Sequence, residues 1–100
     1  MYGTVAYCRA KPGTERQLLD IMRAFETAEV PGVVASYVYR MDTDANDYYV
    51  AVVFANREAY MANAMSAGQD ERYRQLLDLM DAVPEWHDGE VVYALESARR

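Results

Sequence analysis

Between Val33 and Ala55 the chain reads as two strands joined by the turn-forming run Asp42 to Asp47, and neither strand has a polar face. Side chains alternate across a strand. Val33, Ala35, Tyr37, Tyr39 and Met41 therefore share one side, and Val34, Ser36 and Val38 the other. In the second strand Tyr48, Val50, Val52 and Phe54 oppose Tyr49, Ala51, Val53 and Ala55. A sheet that is apolar on both sides must be covered on both. The rest of the chain supplies helices enough for one side only, so the pattern predicts a homodimer in which a second copy covers the other.

The remaining elements follow from punctuation and periodicity. A first strand runs from Tyr2 to Ala10, apolar on both faces apart from Thr4 and Arg9, and Lys11-Pro12-Gly13 ends it. Thr14 and Gln17 have the spacing of a capping box, and Leu18, Ile21, Met22 and Phe25 form the inward stripe of a helix that Pro31-Gly32 stops. Asn56 is placed to cap a short second helix over 57–65, interrupted at Ser66-Ala67-Gly68. A third helix is predicted from Asp70 to Ala82, with Tyr73, Leu76, Leu77 and Met80 inward and Glu71, Arg72, Arg74, Gln75 and Asp78 toward water. Pro84 closes it, Glu85 to Gly89 reads as a loop, and Glu90 to Leu95 as the last strand. The order strand, helix, strand, strand, helix, strand is that of an α+β, ferredoxin-like split βαβ domain. It would be a single domain over residues 1–100, with a four-stranded antiparallel sheet and helices on one face.

Composition narrows the function classes. With 10 basic and 16 acidic side chains the net charge is −6, which repels phosphate backbones and anionic membranes, so neither nucleic acid nor a membrane is an expected partner. No segment approaches the ~20 apolar residues of a membrane span, and the start lacks a secretory signal pattern, so the cytoplasm is the expected location. Cys8, the single cysteine, has no partner within the chain and reads as a small apolar side chain in the first strand. No metal site is expected, because His87, Asp88 and Glu90 are too close together in one extended segment to converge on an ion. Phosphate-cradling glycine loops, nucleophile elbows and Cys-x-x-Cys pairs are absent.

Several residues stand out as chemistry. Asn63 lies three positions after Tyr60 and shares its inward helix face; it is either a polar group in an apolar pocket or a partner for backbone at a helix end. His87 is the only histidine, so an imidazole base must be this residue, and the alternative is a solvated loop side chain. Nine tyrosines bring polar tips to apolar walls; Tyr7, Tyr37, Tyr39, Tyr60 and Tyr73 either line a cavity for an aromatic ligand or pack at the dimer interface.

Three segments carry a resemblance: Lys11-Pro12-Gly13 before a charged amphipathic helix, Val30-Pro31-Gly32 before the second strand, and Phe54-Ala55-Asn56-Arg57-Glu58-Ala59-Tyr60 at a strand-to-helix junction. With them the chain resembles the dimeric α+β barrel proteins, and among those the antibiotic biosynthesis monooxygenase-like family. The resemblance implies a pocket between the sheet and the helices of each subunit. It also implies a reaction that uses no cofactor, neither metal nor flavin, in which an electron-rich aromatic is deprotonated and reacts with dioxygen directly. The expected function is then a cofactor-independent monooxygenase acting on an aromatic, quinol-like or polyketide small molecule. Asn63, Tyr73 and His87 are its candidate catalytic residues, and Tyr7, Met22, Phe25, Tyr60 and Trp86 its candidate contacts to a small aromatic or apolar ligand. Alignment with the family turns the Val5, Tyr7, Arg9 face of the first strand toward the helices. Many family members carry histidine where this chain has Asn63. The haem-degrading branch uses asparagine, tryptophan and histidine where this chain aligns Tyr7, Asn63 and Tyr73, and matches at none. The rival expectations are a non-catalytic or regulatory ligand-binding module of the same fold, and a related isomerase or lyase.

Overall fold

Alternation along the first strand decides which side of the sheet the helices cover. In the computed structural model, which describes residues 1–97, β1 (Tyr2–Arg9) buries Thr4, Ala6 and Cys8 under the helices, and Ala10 just beyond it is buried too. β2 (Val33–Arg40) and β3 (Asp47–Phe54) form the predicted antiparallel pair, and β4 (Glu85–Glu90) completes a sheet of order β2-β3-β1-β4. Helices α1 (Glu15–Thr27), α2 (Arg57–Ala64) and α3 (Ala67–Asp78) make this the expected α+β, ferredoxin-like arrangement. Among the described residues no helix is long and apolar enough to cross a membrane.

The core forms where small residues let a helix approach. Ala6 and Cys8 of β1 and Ala10 just beyond it pack with Tyr48 and Val50 of β3, Leu18 of α1, Leu76 of α3 and Met80 just after that helix. Glu15, in the first turn of α1, ties that helix to the sheet by accepting a hydrogen bond from the Tyr48 phenol at 2.7 Å and pairing with Arg40. The two donors hold the Glu15 carboxyl below the usual carboxylate range, the Tyr48 bond being the larger cause.

Several boundaries differ from the sequence reading, and α3, expected to run to Ala82, ends at Asp78. Thr14 does not cap α1 with its side chain: its hydroxyl donates to the Lys11 carbonyl at 2.6 Å and closes the preceding turn instead. Helix α3 begins at Ala67 rather than Asp70, because Ser66 caps it, accepting from the Gln69 amide at 3.1 Å. The last strand is Glu85–Glu90, expected as a loop, and no strand covers Val91 to Leu95 among the described residues. β4 is an edge strand with every residue exposed, so backbone pairing with β1, from Tyr7↔Glu85 to Tyr2↔Glu90, defines it without an apolar pattern.

The other side of the sheet has no cover among the described residues. One row across it reads His87, Val5, Ala51, Tyr37, and the next Glu85, Tyr7, Tyr49, Tyr39. Val5, Tyr37, Tyr39 and Tyr49 are exposed there, at 46%, 59%, 54% and 39%. At the end of this face Arg9 pairs with Asp47 at 2.7 Å and Asp44 at 3.1 Å, and Asp47 also accepts from the Tyr7 phenol at 2.7 Å.

Candidate functional site

Between the sheet and the helices lies a cavity of about 330 Å³. Its floor is Thr4, Ala6 and Cys8 of β1 with Val50, Val52 and Phe54 of β3; its walls are Met22 and Phe25 of α1, Tyr60 and Asn63 of α2, Gln69, Arg72 and Tyr73 of α3, and Trp86 of β4. A larger recess of about 610 Å³ opens between α1 and the edge strand β2, and shares Met22, Phe25 and Ser36 with the first. The smaller one is the better candidate site. It lies inside the two-layer fold and gathers polar groups from several elements, whereas the charged side chains of the recess, Arg23, Glu26 and Glu29, all come from α1 and the turn that follows it.

Six of the eight candidate site residues, Met22, Phe25, Tyr60, Asn63, Tyr73 and Trp86, line this one cavity. Two do not, and both depart from the sequence reading. Tyr7 lies on the uncovered face with Val5, because the small even-numbered residues of β1 are the ones that meet the helices. His87, placed by β4 opposite Val5, is on that same face, its Nε2 at 3.8 Å from Glu85 Oε1, with the sheet between it and the cavity. No imidazole therefore enters the cavity from this chain's described residues. Trp86, one position earlier, points the other way and packs its ring at a tilt against Tyr73, with centroids 5.9 Å apart.

Asn63 belongs to a network that the sequence did not reveal. Its amide donates to Gln69 Oε1 at 3.3 Å and accepts from Arg72 Nη2 at 3.3 Å, while Arg72 also donates to Gln69 at 3.2 Å. Arg72 was expected to face water, yet Gln69, Arg72, Tyr73 and Leu76 follow one helical stripe, and its guanidinium sits 5.2 Å from the Phe25 ring centroid. The Arg72 charge is met by two neutral amides, and it forms no ion pair among the described residues. A cation held in this way at an apolar cavity is suited to stabilise an anion that forms there.

The other polar end is built from Thr4 and Tyr60. The Tyr60 ring is fixed edge-on to Phe54, with centroids 5.5 Å apart, and packs against Tyr2 at 5.3 Å. Its phenol donates to Asp88 Oδ1 at 2.7 Å. Burial first, and then the Asp88 bond, push the Tyr60 phenol up to about 12, with the nearby Thr4 hydroxyl pulling it slightly down. Thr4 Oγ1 itself is buried without a full hydrogen bond. The signal for Thr4 was present as the one polar residue on the small face of β1; Asp88 was hidden by the loop reading of its strand.

Cys8 on the cavity floor is buried and its thiol is pushed up to about 11 by that burial. In the native protein it is expected to react with a disulfide reagent at mildly alkaline pH at least about 100-fold more slowly than in denaturant, since the thiolate is the nucleophile. Equal rates in the two states would show an activated or accessible thiol. No group of three or more His, Cys, Asp or Glu side chains is arranged to hold a metal ion among the described residues.

No curated protein matches the chain. Among solved structures it is similar to SnoaB from Streptomyces nogalater, described as a cofactor-independent oxygenase and solved as an asparagine-to-alanine variant. The identity is 15%, with 96% of this chain and 97% of that one covered, at a TM-score of 0.81. A conserved protein from Methanosarcina mazei Go1 is 16% identical over 88% of this chain and 89% of its own, with a TM-score of 0.77. A structure described as an antibiotic biosynthesis monooxygenase is 14% identical over 93% of this chain and all of its own, with a TM-score of 0.75. At these identities the likeness is one of fold. The family model for antibiotic biosynthesis monooxygenases matches residues 1–75, three quarters of the sequence, and the chain belongs to that family.

Proposed function

We propose that this protein is a cofactor-independent monooxygenase that oxidises an aromatic, quinol-like or polyketide small molecule with dioxygen. The observation that carries the reading is the cavity itself: largely aromatic and apolar walls around an arginine, Arg72, that forms no ion pair among the described residues, although the Asp70 carboxylate also lines the cavity. Family membership and the fold shared with SnoaB support it. In this scheme Met22, Phe25, Tyr73 and Trp86 hold the ring system and exclude water, which strengthens every charge interaction inside. Asn63, fixed by Gln69 and Arg72, orients the ring oxygens, and Arg72 stabilises the anion left when the substrate loses a proton. The substrate supplies the electrons: one oxygen atom enters its ring and the other leaves as water.

Oxygen uptake with a panel of quinols and anthrone-type phenols tests this. Uptake is expected to survive metal chelation and to fall about 100-fold in Arg72→Met, the usual scale for losing one preorganised anion-stabilising group. Asn63→Ala is expected to lower it as well. Because the cavity holds no imidazole, a non-catalytic binding module is the second reading; it would show ligand-dependent melting shifts with no uptake. Product formation under strict anaerobiosis would instead indicate an isomerase or lyase.

We infer in addition that the protein works as a homodimer whose two uncovered sheet faces pack together. Val5, Tyr37, Tyr39 and Tyr49 supply the apolar centre of that face, and the Arg9, Asp44 and Asp47 cluster lies at its end.

A further inference from the structure

Every hydrogen bond of the Gln69 side chain is one that a carboxylate would make more strongly. Its Oε1 accepts from Asn63 Nδ2 at 3.3 Å, from Arg72 Nε at 3.3 Å and from Arg72 Nη2 at 3.2 Å, while its amide nitrogen donates to nothing among the described residues. A glutamate has the same shape and would keep all three contacts. It would also pair with the guanidinium, and charge-assisted hydrogen bonds are about twice as strong as neutral ones. Position 69 lies in the first turn of α3, where the helix dipole favours an acid. Local hydrogen bonding and helix electrostatics therefore both argue for glutamate. What glutamine changes is the charge of the cavity, because a glutamate here would cancel Arg72.

The titratable or charged groups on the cavity wall are Cys8 on β1, Tyr60 on α2, and Asp70, Arg72 and Tyr73 on α3; α1, β2, β3 and β4 bring none. Asp70 follows Gln69 on the helix but forms no ion pair with Arg72 among the described residues. We propose that Gln69 is the specificity-determining residue of this cavity: it holds Arg72 and Asn63 as a neutral amide, so the Arg72 charge stays available to the ligand and the site takes a ring hydroxyl in its deprotonated form. The proton released on binding goes to solvent. Gln69 acts through Arg72 and touches no reacting atom, so it is a positioning residue. The assignment rests on the cavity being a site for aromatic ligands, and it adds which protonation state they adopt there and which residue decides it.

4-Nitrophenol tests this without turnover, since its neutral and anionic forms absorb at different wavelengths. In the wild type the bound compound is expected to titrate about one pH unit or more below the free one, meaning that the anion binds about tenfold or more tighter than the neutral form. Cys8 and Tyr60, pushed up to about 11 and about 12, titrate above the range of the measurement. Nitrobenzene, which has no proton to lose, reports the apolar part of the site through quenching of Trp86, the only tryptophan and part of the cavity wall. Gln69→Glu is expected to return the bound midpoint to that of free 4-nitrophenol or above it. It should leave nitrobenzene affinity nearly unchanged and melt at the wild-type temperature or higher. Asp70→Asn, which removes an acid outside the network, is expected to keep the anion preference. The proposal is overturned by a wild type that binds neither compound or whose bound 4-nitrophenol titrates like the free one, and by an unchanged midpoint in Gln69→Glu. It is overturned equally if Gln69→Glu melts lower or weakens nitrobenzene as much as nitrophenolate, since the amide would then be a structural need, or if Asp70→Asn loses the preference. Anion selection without oxygen uptake on the quinol panel would sink the oxygenase reading and leave this one standing; uptake without anion selection would do the reverse.

Discussion

Gly3→Ala is expected to remove most of the folded protein, with a loss of about 3 kcal/mol or more, at or beyond the upper end of ordinary overpacking. A methyl group at Gly3 would come within 1.9 Å of the Val52 carbonyl oxygen, 2.9 Å of its carbon and 3.0 Å of the Val53 Cα. All three are backbone atoms of the central strand β3, so no side chain can swing aside. The strands themselves would have to part where Tyr2 pairs with Phe54 and Thr4 with Val52, next to the buried Phe54 ring. A small domain has about 5–15 kcal/mol of total stability, so such a loss is a large share of it. Gly89 provides the control. It pairs with Gly3 from the other side, on β4, and a methyl there meets nothing within 4 Å. Gly89→Ala is expected to be neutral or slightly stabilising, since alanine restricts the unfolded chain more than glycine. Urea unfolding followed by circular dichroism compares the two. Equal midpoints would mean that β1 and β3 do not approach as closely as described.

The two strands around Val33 to Ala55 were legible because a period of two survives any tertiary context, and β2 and β3 pair face for face as the pattern requires. One irregularity was not legible: Val34 is an extra residue between the pairs Val33↔Phe54 and Ala35↔Val53. The first strand was recognised, but its orientation was not. Both of its faces are apolar, so polarity could not choose between them, and size was the usable signal, since Thr4, Ala6, Cys8 and Ala10 leave room for helices and a cavity where Val5 and Tyr7 do not.

Most of the cavity wall was within reach of helix periodicity: Met22, Phe25, Tyr60, Asn63 and Tyr73 all follow from inward stripes on α1, α2 and α3. Arg72 was assigned to water by its charge although its spacing put it on the stripe, and a long side chain can keep its charge at a cavity while its stem packs. Ser66 and Gln69 have the spacing of a capping box, which would have started α3 at its true position. β4 was beyond reach for a different reason. Its residues, Glu-Trp-His-Asp-Gly-Glu, carry no strand signature, and only the free backbone edge of β1 makes them a strand.

The second large effect concerns the uncovered face. Val5→Glu is expected to convert a dimer into single subunits, weakening association about a thousandfold or more. Val5 is 46% exposed in the single chain, so the change costs the fold of one subunit little. In a two-fold dimer formed through this face the carboxylate would be buried without a partner, and symmetry brings in two of them. Each unpaired charge taken from water costs several kcal/mol after relaxation, and about 4 kcal/mol in all corresponds to that thousandfold. Glu85, in the next row of the same face, adds like charge, and His87 directly across on β4 is the one imidazole that the new acid meets. Asp20→Asn, on the outer side of α1 with its partner Arg23, changes the charge by one unit of the opposite sign far from the face and is expected to leave association untouched. Sedimentation at micromolar concentration reads both variants against the wild type. A well-folded wild type that sediments as one subunit would defeat the dimer outright. It would also mean that Val5, Tyr37, Tyr39 and Tyr49 stay in water as an apolar patch that a soluble single subunit rarely tolerates.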